Sequence, residues 1–391
     1  MKKGWEVKRL GDVLLKTETV DPTKKPDEEF TYLDVASVNK ETKKIENAIM
    51  LMGKDAPSRA RKLIKTNDVI FATVRPTHSR VALITDEYNE QVCSTGYFVL
   101  RGKDFIYNQY LFYFLLTDEF NLQMGKLQKG ANYPAVTDAE VKSISLRYPK
   151  SLQEQQRIVA ILDKAFTAIA KVKANAEKNL KNSKEIFESY LQSVFENRGE
   201  GWEEKTLNQI SENLDSKRVP ITKNVRNEGS IPYYGASGIV DYVADYLFDE
   251  DLLCISEDGA NLLARTYPIA FSISGKTWVN NHAHVLRFKN MVSQKFVELY
   301  LNSIKLDDFV SGMAQPKLNQ TMLNKIPIPL PPLPEQQTMI HKLDALSAET
   351  KQLEANYQQK LNNLEELKKS LLQKAFNGEL DTEKELIIAQ S

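Results

Sequence analysis

Between Ser58 and Arg80 the chain sets Arg59, Arg61, Lys62, Lys65, Arg75 and Arg80 against one acid, Asp68, a local balance of +5. A second run, from Arg265 to Lys295, holds Arg265, Lys276, Arg287, Lys289 and Lys295 with no acid at all. Guanidinium and ammonium groups at this density can neutralise phosphates, and Arg, Asn and Gln can read base edges through paired hydrogen bonds. A solvated charged face would use the same residue types, but one such run in each half of the chain weighs against it.

His282 and His284 lie two apart, which on a strand puts both on one face. With Glu257 and Asp258 they could be drawn as a metal site. No third or fourth ligand recurs at a convincing spacing and the first half has no equivalent, so no metal is expected. Trp278, Asn280, Asn281 and His282 read instead as contacts to bases or phosphates. Asp241, Asp245, Asp249, Glu250 and Asp251 read as a solvated turn. The sequence holds no Gly-rich phosphate loop, nucleophile elbow, paired-histidine zinc motif or Asn/Asp-Pro-Pro-aromatic tetrapeptide. These residues describe a recogniser without a reaction of its own.

The elements that must position these residues occur twice. Leu152-Gln153-Glu154-Gln155-Gln156 and Leu333-Pro334-Glu335-Gln336-Gln337 each open a segment, running to Phe195 and Phe376, with no further Pro or Gly. Both predict long helices, each roughly 65 Å at 1.5 Å per residue. Leu343, Leu346, Thr350, Leu353, Tyr357, Leu361, Leu364, Leu367 and Leu371 form a coiled-coil seam. The seam repeats 181 positions earlier as Leu162, Ala165, Ile169, Val172, Ala176, Leu180, Ser183, Ile186 and Tyr190. Small residues of one seam stand where the other has large ones, which predicts that the two helices pack together.

The stretch from Trp5 to Val13 is echoed from Trp202 to Ile210, after the first long helix. A tandem duplication follows. No third copy follows Phe376 to Leu380; if the helices are antiparallel, the segment around Trp5 can fill that place and close a circle with an approximate two-fold axis. Short strands are predicted over Tyr32 to Val38, Asp68 to Val74, Val81 to Thr85 and Ser94 to Leu100, with one amphipathic helix over Tyr107 to Lys126. Gly130, Pro134, Thr137, Val141 and Pro149 recur 182 positions later as Gly312, Pro316, Asn319, Leu323 and Pro331. Thr137 and Asn319 predict helix N-caps. The segment from Ile231 to Gly238 has no counterpart near Thr31, and that from Trp278 to Val285 has none near Ser94, so the frame is duplicated and the middles diverge. Equivalent frames with different inserts suit a ligand that is repetitive yet locally variable, and DNA is such a ligand.

A length of 391 residues fits two or three domains, and the 52 Lys and Arg equal the 52 Asp and Glu. Any basic surface must therefore be local. Cys93 and Cys254 match no metal spacing. No apolar stretch approaches signal-peptide or membrane-spanning form, so a cytoplasmic location is expected.

The Leu-Pro-Glu-Gln-Gln helix start, the motif from Ile231 to Gly238, Ile255 to Asn261, Ala56-Pro57-Ser58-Arg59-Ala60 and Val74-Arg75-Pro76 together resemble the specificity subunit of type I restriction-modification systems. The resemblance covers nearly the whole chain, departing at Lys150-Ser151-Leu152-Gln153, where prolines are usual. It implies an α+β fold of two mixed α/β target recognition domains joined by two long antiparallel coiled-coil helices, with pseudo-two-fold duplication. The expected boundaries are residues 1–150, a spacer helix over 151–197, residues 198–332, a second helix over 333–380 and a tail over 381–391.

The resemblance also implies a non-catalytic subunit. Each domain would read one half of a bipartite target on double-stranded DNA, while the helices set the gap and dock two modification subunits, with restriction subunits beyond. S-adenosylmethionine, ATP and magnesium would belong to those partners. The candidate DNA contacts are Arg59, Arg61, Lys62, Arg75, His78 and Arg80 in the first domain. In the second they are Tyr233, Tyr234, Lys276, Trp278, Asn280, Asn281, His282 and Lys317. Glu154, Gln155, Gln156, Glu335, Gln336 and Gln337 are the candidate partner contacts. Alternatives are the specificity subunit of a stand-alone adenine methyltransferase, a coiled-coil protein-binding adaptor, and a metal-dependent nuclease using His282, His284 and Asp258.

Overall fold

The structure, a computed structural model, describes residues 2–312 and 315–380. The expected tail over 381–391 lies outside them. The chain divides into two compact units, one built on residues up to Ala176 together with those from Gln359 onward, the other on Glu177–Gln358. Each unit therefore takes part of both long helices, Leu152–Glu196 and Leu333–Asn377.

In the first unit the opening strand Trp5–Arg9 pairs antiparallel with the exit strand Ser145–Pro149. One sheet has the order Ile49–Met52, Glu29–Leu33, Gln91–Ser94, Ala60–Ile64. Its central pair is parallel, with Tyr32 beside Val92 and Leu33 beside Cys93. A second sheet sets Val69–Ala72 between Val81–Leu83 and Tyr97–Leu100. Val69–Ala72 is buried along its whole length because side chains alternate between faces. Val69 and Phe71 enter the core that holds Leu10, Tyr110 and Leu146. Ile70 and Ala72 enter another, with Leu33 and Tyr97.

The helix expected over Tyr107 to Lys126 is two helices, Asn108–Phe114 and Asp118–Leu127. Thr117 makes the break: its hydroxyl donates to the Phe114 carbonyl at 2.8 Å and accepts from the Phe120 N–H at 3.2 Å. Thr137 caps Asp138–Ser143 in a capping box with Glu140, and Asn319 caps Gln320–Leu323.

The second unit repeats this plan. Glu203–Lys205 pairs with Ile328–Leu330. A sheet of Gly238–Val243, Glu228–Gly235, Lys276–Val279 and Phe248–Asp249 again has a parallel central pair, Tyr233 beside Trp278 and Tyr234 beside Val279. Leu252–Ser256 sits between Ala270–Ile273 and Ala283–Phe288, and its residues again alternate between two cores. The middles therefore diverge in sequence while the strand plan recurs, with Ser211–Asn213 added beside Ala283–Phe288 in the second unit: Tyr233 and Trp278 stand where Tyr32 and Val92 stand.

In each unit the two long helices run antiparallel. Lys173 meets Glu365 at 2.7 Å in the first, where Leu162 shares a core with Leu372. In the second, Leu191 shares a core with Leu343. The seam differs from the expected one at five positions. Val172, Ile186, Tyr190, Leu353 and Leu367 are exposed, while Lys173, Phe187, Glu354 and Lys368 are half-buried in their place. Lys368 sets its ammonium over the Phe166 ring at 5.0 Å, a cation–π contact that lets a charged residue occupy a half-buried seam position.

The end of the last helix meets the opening segment within the first unit. Phe376 packs on Tyr110 and Phe114, at 4.8 and 5.8 Å between ring centroids, and Trp5 lies against Gly378. Phe195 packs in the same manner on Phe296 and Tyr300, at 5.4 and 5.1 Å. Tyr110 and Phe296, like Phe114 and Tyr300, are 186 positions apart.

Candidate nucleic-acid interface

Most of the first basic run is occupied by its own fold. Arg61 pairs with Asp21 at 3.3 Å, Lys65 with Glu18 at 3.0 Å, and Lys62 with Asp138 at 3.0 Å and with the Tyr97 carbonyl at 2.6 Å. Arg80 donates to the Val38 carbonyl. Arg61, Lys62 and Arg80 are half-buried and tie strands and loops together. Arg59, Arg75 and His78 are exposed.

The second run is tied down likewise. Arg265 donates to the carbonyls of Leu301 and Ile304, and Lys295 pairs with Glu298 at 2.8 Å. Arg287 forks onto Glu250, with both nitrogen–oxygen distances 2.6 Å, and reaches Glu212 at 2.8 Å. Glu250 is therefore an ion-pair partner and not part of a solvated turn, and its hydrogen bonds from Arg287 hold its carboxyl below the usual range. The first unit has the same fork: Arg101 reaches Asp68 at 2.8 and 2.7 Å and Glu18 at 2.7 Å. Arg101 and Arg287 are 186 positions apart. Hydrogen bonds from Arg101 and Lys65 hold the Glu18 carboxyl down at about 2.

Tyr233 is 1% exposed, its hydroxyl accepts the Ile221 N–H at 3.0 Å, and Arg226 lies 4.2 Å from its ring, so it is a core residue. Asn280 is buried too; its side-chain oxygen accepts the His282 N–H at 2.8 Å and shapes the turn. Both are corrected to structural roles. Tyr234 is half-buried against Phe271, and Trp278 donates its indole N–H to the Val219 carbonyl at 2.6 Å. Lys276, Asn281, His282 and Lys317 are exposed. Lys276 lies 4.7 Å from the Tyr246 ring.

Arg75 in the first domain and His282 and Lys317 in the second stand at equivalent rims, and backbone hydrogen bonds fix the equivalence. Thr73 donates to the Gly96 carbonyl at 2.8 Å and accepts from Val136 at 2.9 Å; Glu257 donates to the His282 carbonyl at 2.9 Å and accepts from Leu318 at 2.8 Å. Two residues on, Arg75 donates to the Pro134 carbonyl at 2.7 Å and Gly259 to the Pro316 carbonyl at 3.0 Å. Both have positive φ, +49° at Arg75 and +107° at Gly259. The intervening residues bridge to matching partners, Val74 to Ala135 and Asp258 to Lys317. The rim carries different chemistry in the two domains. Arg75 lies 5.5 Å from the ring of Tyr133, which is 73% exposed. Asp258 holds Nδ1 of His282 at 2.8 Å, and Lys317 reaches Glu257 at 3.2 Å. Sequence reading missed Tyr133, which is unremarkable until the fold sets it beside Arg75.

His282 and His284 do not share a face: the first is exposed in a turn before the strand Ala283–Phe288, the second is 1% exposed. His284 gives Nδ1 to Asp215 at 2.6 Å and Nε2 to the Leu318 carbonyl at 2.7 Å. Ligand atoms of Asp215, Glu257 and His284 lie within 4.8 Å of one another, a spacing that a metal could bridge. Arg218 fills that role instead, 2.7 Å from Glu257 and 3.5 Å from Asp215. Burial pushes the Asp215 carboxyl up, but the hydrogen bond and charge of His284 outweigh it and leave it below its ordinary value.

The motif that opens each long helix is a lock. Gln155, 0% exposed, accepts the Tyr107 N–H at 2.8 Å and donates to the carbonyls of Phe105 and Pro149, both at 2.9 Å. Gln336, 2% exposed, accepts from the Ser293 hydroxyl at 3.0 Å and donates to the Pro331 carbonyl at 2.7 Å. Both are corrected from partner contacts to anchors of helix on domain. Glu335 accepts the Trp202 indole N–H at 2.9 Å, and Glu154 lies 3.7 Å from Arg157. Gln156 and Gln337 are exposed.

The model of the type I restriction modification DNA specificity domain matches residues 2–181 and 199–363. A Haemophilus influenzae protein described as a type I restriction enzyme specificity subunit is 36% identical over 162 residues, 41% of this chain and 41% of that protein's length. The StySPI specificity subunit of Salmonella potsdam is 22% identical over 351 residues, 81% of this chain and 75% of that one. A chain solved in work on complex assembly and conformational transition of the type I R-M system superposes with a TM-score of 0.83 at 26% identity, covering 97% of this chain and 99% of that chain. The HsdS subunit from Thermoanaerobacter tengcongensis gives 0.70 at 28%, covering 97% and 98%. No helix among the described residues is long and apolar enough to cross a membrane. With both domains and most of both helices matched by the family model, the chain belongs to the type I restriction-modification DNA specificity family.

Proposed function

We propose that the chain is the sequence-reading subunit of a type I restriction-modification complex in the cytoplasm, each domain reading one half of a bipartite target on double-stranded DNA. The observation that carries this reading is the shared scaffold with a changed rim: identical hydrogen bonding around Thr73 and Glu257 presents Arg75 and Tyr133 in one domain, Asp258 and His282 in the other. A common frame with different polar groups is what two different half-sites on one kind of ligand require. The chain carries no reaction. S-adenosylmethionine, ATP and magnesium act on its partners.

The long helices dock two modification subunits, which a restriction subunit joins, and they set the number of unread base pairs. Supporting this, the exposed apolar residues of the helices recur in register, Leu152 with Leu333, Val172 with Leu353 and Ile186 with Leu367. Two equivalent rows suit two copies of one partner. The test is methylation-aware sequencing of the host genome with and without the gene for this chain. Loss of one bipartite adenine-methylated motif is expected; an unchanged methylome contradicts the proposal.

A further inference from the structure

The paired rims carry the reading one step further, to individual bases, resting on the DNA-reading function proposed above. Arg75 is left-handed, at φ 49° and ψ 57°, a conformation that costs a side-chain-bearing residue roughly 1–2 kcal/mol. The equivalent position in the other domain is Gly259, which adopts positive φ without that cost. Strain held at a solvent-facing residue marks a side chain that is needed where it stands. The Arg75 guanidinium has no hydrogen-bond or ion-pair partner among the described residues, and it rests against the Tyr133 ring. Held against an exposed ring, it presents free N–H groups in a fixed plane, the arrangement that matches O6 and N7 of a guanine.

The second domain has no side chain there and offers the opposite polarity one residue earlier. The Asp258 carboxylate lies 2.8 and 3.0 Å from Nδ1 of His282, which is 51% exposed. A carboxylate beside Nδ1 fixes the proton on that nitrogen, so in the neutral ring Nε2 is left as an acceptor. No partner occupies Nε2 among the described residues. An exposed acceptor in the major groove reads an exocyclic amino group, N6 of adenine or N4 of cytosine.

We propose that Arg75, steadied by Tyr133, reads a guanine in one half-site, and that His282, oriented by Asp258, reads an amino-bearing base at the corresponding place in the other. Asp258 and Tyr133 are positioning residues. The test is the methylome of host cells carrying variants of the full chain with its natural partners, together with binding of each purified complex to duplexes varied one base at a time. Arg75→Gly copies the other domain's residue and relieves the left-handed strain, so the complex should melt at the same temperature or higher. It should also lose about 10- to 100-fold discrimination at one position of one half-site. Tyr133→Ala should loosen the same position and Tyr133→Phe should not. His282→Ala should loosen one position in the other half-site, and Asp258→Asn should loosen that same position with the fold intact. A motif unmoved by both R75G and H282A overturns the base assignment. So does a uniform loss of affinity with the salt slope reduced by about one, which marks a phosphate contact. Loosening by both in the same half-site overturns it as well. A methylome in which no motif depends on this chain at all is a different failure, that of the DNA-reading function.

Discussion

Phe376 packs against Tyr110 with 4.8 Å between ring centroids, so the end of the last helix completes the core of the first domain. The relation repeats that of Phe195 to Phe296 in the second domain. Phe376→Ala should therefore destabilise the first unit by about 3–5 kcal/mol, the cost of emptying a large buried aromatic site. Thermal melting followed through the first unit's aromatics checks this. A variant that melts like the parent would mean that the last helix only rests on that domain.

The two glutamines of each helix-opening motif should separate cleanly. Gln155→Ala leaves the buried Pro149 carbonyl and the part-buried Phe105 carbonyl and Tyr107 N–H without this partner and should cost about 2–4 kcal/mol, whereas Gln156→Ala, at an exposed position, should stay within about 0.5 kcal/mol. Denaturant unfolding of the two variants decides it. Equal effects would return Gln155 to the surface.

The forks at Arg101 and Arg287 differ in burial and so in worth. Asp68 is 1% exposed beside Arg101, and Arg101→Met should cost about 3–5 kcal/mol by stranding it. Glu250 is 32% exposed, and Arg287→Met should cost about 1 kcal/mol. Glu18 adds a pH dependence. Its carboxyl drops from 4.5 to about 2 in the fold, so the stability it contributes is present above pH 4.5 and is lost as pH falls towards 2. The stability gap between the parent and Arg101→Met should narrow over that window. A gap that widens on acidification contradicts the assignment.

At the buried imidazole, His284→Leu takes the ring's hydrogen bonds from Asp215 and the Leu318 carbonyl and should cost about 3 kcal/mol. Zinc added to the parent should not raise its melting temperature, because Arg218 already sits 2.7 Å from Glu257. A zinc-dependent rise that disappears in His284→Leu would falsify the ion-network account.

What was legible in the sequence was what is local. The helix starts at Leu152 and Leu333, and the caps at Thr137 and Asn319, depend on neighbours within one turn, and they stand where the residue types place them. The expected α+β fold and its duplication follow from these repeats. The charged runs misled, because their partners come from far along the chain: Asp138 reaches Lys62 across 76 positions and Glu212 reaches Arg287 across 75. A run of basic residues in sequence is not a basic surface until those partners are subtracted. The match between Tyr233 and Tyr32 was hidden for another reason. Parallel pairing joins Leu33 to Cys93 but Tyr234 to Val279, across loops of different length, so no fixed offset reveals it. The seam slipped at Val172 and Leu353 because the half-buried positions beside them, Lys173 and Glu354, are charged, and hydrophobic type alone picks the wrong neighbour.

The central claim is that each domain reads its own half of the target, and one measurement meets it directly. Residues 217–290 are replaced by the matching segment of a relative with a different target, and the host methylome is mapped. The account predicts a motif with one half changed, the other half untouched and the same gap between them. A motif changed in both halves, or changed in neither while the complex still methylates, would contradict it.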